Sequence, residues 1–201
     1  MTTKRHRPIL LGSVAMLSVV GIAVAATTAS IPAPETLWKE IGVLQKKHAI
    51  MPESRPFQAG SRVVDVYTVD LSNRPASEAI RKAGKITSVT RYPAGSLLVK
   101  ENYDQKKKLT GITAMLKVDG YDPGDRNWLM AAYSPAGKVV SYGKVSSCIA
   151  CHVMVSKTDF VFAPPPFQML PVSVWKAFFP KQAISPVYRR LLAAHPEAVV
   201  K

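Results

Sequence analysis

Residues 96–142 read SLLVKENYDQKKKLTGITAMLKVDGYDPGDRNWLMAAYSPAGKVVSY. Short runs rich in Val, Ile, Leu, Thr and Tyr are separated by turn chemistry, first Asp119-Gly120-Tyr121-Asp122-Pro123-Gly124, then Ser134-Pro135-Ala136-Gly137. Glycine supplies the positive φ such turns need and proline fixes the preceding geometry. Strands are expected at 96–101, 109–118, 128–133 and 139–142. The connections are mostly too short for the crossovers that parallel strands require, so the sheet should be antiparallel.

The same texture extends toward the N-terminus, with strands expected at 62–69 and 86–91, a turn at Pro93-Ala94-Gly95 and a helix at 76–82. Upstream, Leu37, Ile41 and Leu44 recur at helical spacing behind Pro34, which indicates an amphipathic helix over 35–48. A Pro/Gly/Ser-rich connection occupies 52–61. Beyond Ala163 come Pro164, Pro165, Pro166, Pro171 and Pro180, then a helix expected at 186–195. The fold class is α+β: a mainly antiparallel β-sheet with a few flanking helices.

With 201 residues, 47% hydrophobic and 20% charged, the chain has the composition of one globular domain plus a targeting segment. Residues 1–25 have the order of a secretory signal peptide: basic Lys4, Arg5 and Arg7, an apolar run from Ile9 to about Ala26, and small residues at Ala23-Val24-Ala25. Cleavage would place the mature protein in the periplasm; the competing reading is an uncleaved membrane anchor, because the run approaches the ~20 residues that span a bilayer. A linker at 26–34 and a domain at 35–201 complete the division. The net charge of +14 favours acidic partners, an acidic electron-transfer protein among them. Nucleic acid is disfavoured, since the lysines are scattered and Lys106 to Lys108 form the one tight run.

Chemistry concentrates at Cys148-Ile149-Ala150-Cys151-His152, a C-x-x-C-H string that contains both cysteines of the chain. This is the signature of c-type haem attachment. Two thiols three positions apart can meet the two vinyl groups on one porphyrin edge, and the next residue can offer its imidazole to the iron. A structural disulfide would close a very short loop and constrain the unfolded chain little. A thioredoxin-like pair calls for a βαβ setting that the sequence lacks. Zinc would need further ligands, and His6, His48 and His195 are the remaining histidines. One covalent haem c per chain is therefore expected, with Cys148, Cys151 and His152 binding the cofactor and His152 as the metal ligand. Met154 and Met169 are candidate sixth ligands.

The strings Arg91-Tyr92-Pro93-Ala94-Gly95-Ser96-Leu97-Leu98-Val99-Lys100-Glu101, Gly111 to Lys117, Asn127-Trp128, Cys148 to His152 and Lys157-Thr158-Asp159-Phe160-Val161-Phe162 together resemble cytochrome P-460. That family is similar in fold to cytochrome c′-β. The resemblance implies a homodimer, an apolar distal pocket, and an iron that oxidises hydroxylamine or binds nitric oxide. Lys100 matches the lysine that cross-links to a haem meso carbon, which adds it to the cofactor-binding and catalytic residues. Strand alternation places Lys100 on the face of Leu98, where burial would expose a nucleophilic neutral amine. One feature departs from the pattern. Hydroxylamine-oxidising members carry a pocket carboxylate on a strand after the lysine, whereas 111–117 and 128–133 hold no Asp or Glu. Thr113, a candidate catalytic residue, is the polar non-basic side chain on the first of these. Three functions follow as expectations: hydroxylamine oxidation, nitric-oxide binding without turnover, and electron transfer. Trp128 and Met130 are expected in the core, and Asp159 in a cap or pair within its own segment.

Overall fold

Six strands hydrogen-bond in chain order, every neighbouring pair antiparallel: β1 (Gln58–Ala59), β2 (Tyr67–Ser72), β3 (Leu97–Tyr103), β4 (Leu109–Lys117), β5 (Trp128–Tyr133) and β6 (Val139–Gly143). This computed structural model describes Met1 and residues 30–201. Residues 2–25 of the expected signal segment and the start of the linker lie outside the described residues. Among the described residues no helix is long and apolar enough to cross a membrane.

Alternation along the strands divides the sheet into two faces. Val69, Leu71, Leu97, Val99, Ile112, Ala114, Leu116 and Leu129 are buried on one face against Leu37, Ile41 and Leu44 of α1 (Pro34–Lys46). Burying each of the Val, Leu and Ile side chains stabilises by about 1.5–3 kcal/mol. The start of α1 is tied to β5 and β6, whose Tyr133 and Tyr142 hydroxyls donate to the carbonyls of Pro34 (2.9 Å) and Pro32 (2.6 Å). The other face carries Asp70, Leu98, Lys100, Thr113, Met115 and Met130 toward a cavity.

The link from β2 to β3 contains α2 (Arg74–Ala83), which starts at an Asn73 cap and ends at Gly84 with φ +82°, a left-handed conformation that glycine adopts without Cβ penalty. Asn73 Oδ1 accepts from the N–H groups of Ala76 (3.3 Å) and Leu97 (3.0 Å), coupling helix start to strand start.

The expected strand at 86–91 is instead a 3₁₀ turn, Ile86–Ser88, and a loop. Its β-branched residues are accounted for by burial: Ile86 and Val89 pack beside Ile80, Tyr92 and Trp128. β2 and β3 already pair with each other, so the sheet has no position for an intervening strand. β2 also begins later than expected, because residues 62–65 turn away: Arg62 pairs with Asp65 and forms an isolated bridge with Ile184. Two helices have no counterpart in the sequence reading, α3 (Ser146–His152) and α4 (Val172–Phe178). The last helix, α5 (Pro186–Ala194), lies where it was expected.

Candidate functional site

The C-x-x-C-H string forms most of α3. Helical geometry puts residues three and four apart on one face, so Cys148, Cys151 and His152 share it, and all three line the cavity. Both cysteines are free thiols. Burial raises their pKa values, and the nearby Lys100 amine partly offsets this.

His152 meets the Phe160 carbonyl through Nδ1 at 2.6 Å. A carbonyl can only accept, so Nδ1 carries the proton and Nε2 keeps its lone pair. Burial, reinforced by Lys100, lowers the His152 pKa to about 4, against the opposing effect of the Phe160 bond. The imidazole is therefore neutral near pH 7, the form that ligates a metal. Its ring packs edge-on against Phe162 at 5.3 Å between centroids.

Lys100 stands opposite Thr113 on β4 and opposite Asp70 on β2. Its side chain has accessible surface because it lines the cavity, yet the protein packed around the amine strips away bulk water. Desolvation lowers its pKa; Asp70 opposes that shift and Arg62 adds to it. Asp70 is a buried acid on the cavity wall that the sequence reading lacked; Asp65, also on the wall, is paired with Arg62. Asp70 comes from the strand before the lysine, where the expected strand stopped one residue short. Burial raises its pKa to about 6, despite the opposing Lys100 charge and hydrogen bonds from Gln58 and Ser54. Gln58 Nε2 and, more weakly at 3.5 Å, Ser54 Oγ both donate to Oδ2. Oδ1 is buried without a hydrogen-bond partner among the described residues. One signal was available: aspartate is depleted from strand interiors, and Val69-Asp70-Leu71 places one between two core residues.

The cavity measures about 320 Å³. Leu98, Met115, Met130, Val161 and Phe162 supply an apolar lining, while Trp175, Phe179 and Tyr188 close it from the C-terminal segment. A larger open groove of about 1130 Å³ runs along α2 past Arg91 and Lys117, but neither thiol nor His152 reaches it, so the chemistry belongs to the smaller cavity. Met154 and Met169 do not line that cavity. Met169 is buried in a separate cluster with Ile184 and Tyr188, which removes the basis for either as sixth ligand. Trp128 is core, as expected, and does not reach the cavity; Met130 does. Asp159 pairs not within its own segment but with Lys117 of β4, at 2.7 Å. Among the described residues no cluster of three or more His, Cys, Asp or Glu side chains could hold a bare metal ion.

The donor set fits a haem: two thiols on one helical face, a neutral imidazole with Nε2 free, and an apolar cavity beside them. An antiparallel sheet with such a site at its C-terminal side defines a haem-binding cytochrome of the mixed α and β kind. The family comparison agrees: the model described as Cytochrome P460 matches residues 38–163, and the chain belongs to that family. No curated protein matches the sequence.

Proposed function

We propose that this is an exported c-type cytochrome that oxidises hydroxylamine. In this reading Cys148 and Cys151 form the thioethers and His152 holds the iron of one haem per chain. The haem supplies the redox centre at which hydroxylamine is oxidised. The observation that carries the reading is the meeting of Asp70, Lys100 and the α3 triad in one cavity.

Every electron removed from hydroxylamine on the way to nitric oxide leaves with a proton, so the pocket needs an acceptor near the substrate. Asp70, with a pKa of about 6, is ionised at neutral pH and close enough to neutrality to exchange protons, the condition for general base catalysis. Thr113, across from Lys100, orients substrate through its hydroxyl and is too weak a base to replace Asp70. The lowered pKa of Lys100 favours a neutral nucleophilic amine. Its bond to a meso carbon of the haem would form with loss of one hydrogen from each partner, the two electrons passing to a peroxide-class oxidant. Electrons from turnover leave to an acidic one-electron carrier protein, which the basic chain attracts.

The optical spectrum of the reduced protein, with hydroxylamine turnover measured against an artificial one-electron acceptor, tests the reading. A strongly red-shifted Soret band with turnover is expected. An ordinary high-spin spectrum without turnover would favour nitric-oxide binding alone, and a sharp low-spin spectrum would refute both.

A further inference from the structure

The turn that follows the motif helix holds two consecutive non-glycine residues in the left-handed region, Asp159 at φ +54° and Phe160 at φ +68°. Aspartate tolerates that conformation; a bulky phenylalanine there is an outlier, and such outliers persist where their surroundings over-determine them. Here the surroundings do so from three directions. Asp159, fully buried, accepts at Oδ2 from Lys117 Nζ of β4 (2.7 Å) and from the Tyr92 backbone N–H (2.7 Å). Its main-chain carbonyl accepts from Trp128 Nε1 of β5 (2.6 Å). Lys117 is itself buried and stacks its ammonium 4.6 Å from the Trp128 ring centroid.

An ion pair in an apolar cluster is a poor source of net stability, since desolvating two charges offsets their attraction. What this one fixes is a direction. The next carbonyl along, that of Phe160, is the acceptor of His152 Nδ1. The partner of a ligating histidine's second nitrogen sets its tautomer, orientation and basicity.

We propose that Asp159, clamped by Lys117 and Trp128, is a positioning residue for His152: it holds the strained turn that aims the Phe160 carbonyl at Nδ1 and so tunes the imidazole as an iron ligand. The inference rests on His152 holding the haem iron and is independent of hydroxylamine turnover. The strength of the Nδ1 hydrogen bond governs how much electron density the imidazole gives the iron. Loosening the turn lowers the Fe–His stretching frequency of the ferrous protein and raises the midpoint potential.

The test uses the full-length haem-loaded protein with resonance Raman and redox titration. Asp159→Asn alone leaves Lys117 buried without its counter-charge, so it is compared with Lys117→Met/Asp159→Asn, which removes both charges. Trp128→Phe keeps an aromatic ring and both charges while deleting the Nε1 donor and trimming the buried indole, so it leaves the ion pair in place. Leu37→Ala, in the core beyond the opposite face of the sheet, is the control for general destabilisation. The expected result is a lower Fe–His frequency and a higher potential in all three site variants, smallest in Trp128→Phe, with both quantities unchanged in Leu37→Ala despite its lower melting temperature. Site variants that melt earlier but keep the wild-type frequency and potential overturn the positioning role, and an unshifted Trp128→Phe does so even if the charge variants fail to fold. A wild-type protein with no Fe–His band would defeat the iron-ligand reading itself, an outcome distinct from a band present and unmoved.

Discussion

Asp70 and Lys100 face each other across β2 and β3, and the same burial pushes the carboxyl up and the amine down in pKa. Their mutual attraction opposes both shifts and only partly offsets them.

Replacing Asp70 with Asn keeps shape and removes the acceptor. Hydroxylamine oxidation should fall by about 10²–10⁴-fold, the usual worth of a positioned base. The wild-type rate should decline on acidification through about pH 6, and the variant should lose that limb. A pH–rate profile of both proteins checks this; a wild-type limb surviving in the variant would remove Asp70 from the mechanism.

The same carboxyl makes a statement about stability. Its folded pKa is raised from 3.8 to about 6, so the folded chain holds a proton between those values that the unfolded chain has released. Stability therefore falls as pH rises through this window, by roughly 2–3 kcal/mol at full effect. Asp70→Asn should be more stable than wild type near pH 8 by up to about that amount and equal to it near pH 4. Denaturant titrations at the two pH values decide; a wild-type protein that gains stability between pH 4 and 6 through this residue would contradict the burial argument.

Lys100→Leu preserves bulk and apolar character. The variant should keep its thioether haem and lose the red-shifted Soret band. Tryptic mass spectra of the wild type should contain a haem-bearing peptide that joins the Lys100 segment to the one holding Cys148 and Cys151, with no cleavage after Lys100. If wild type yields no such peptide, the cross-link does not form.

Cys148→Ala combined with Cys151→Ala should abolish haem staining after denaturing electrophoresis while leaving the sheet intact, since neither thiol touches the α1 core. Staining that survives the double substitution would overturn covalent attachment.

Leu37→Ala should cost about 2–5 kcal/mol, the range for truncating a fully buried leucine. The haem spectrum should not change, because α1 packs on the far side of the sheet from the cavity. Chemical denaturation and the optical spectrum report the two effects separately.

The sequence made β5 legible to the residue and β4 to within one, because apolar and β-branched runs there are bracketed by turn residues. The segment at 86–91 misled for a physical reason: β-branched residues favour strands only where a partner edge is free, and here they fill the space beside α2. The thiols, His152 and Lys100 were readable from motif and resemblance. Asp70 offered only the signal of an acid between two core residues, because its place beside Lys100 depends on which strand pairs with β3, a fact of pairing rather than of local pattern. The closure of the cavity by Trp175, Phe179 and Tyr188 was equally hidden. Proline-rich sequence gives no periodic signal, and these residues reach the site through long-range anchors such as Ser185 Oγ donating to the Gly60 carbonyl at 2.8 Å.

The strand order β1 to β6 also keeps the strand pairing local in sequence. Each strand pairs with the one made just before it, so the hairpins close early and the loops that close are mostly short ones, the regime in which topology speeds folding. Cys148 follows β6 in the chain, so the motif helix packs on a wall whose strands all precede it in sequence. A one-residue slip in β3 would turn Lys100 toward α1 and bury its amine among leucines. The burial of the α1 face thus selects the one register that leaves Lys100 turned to the cavity.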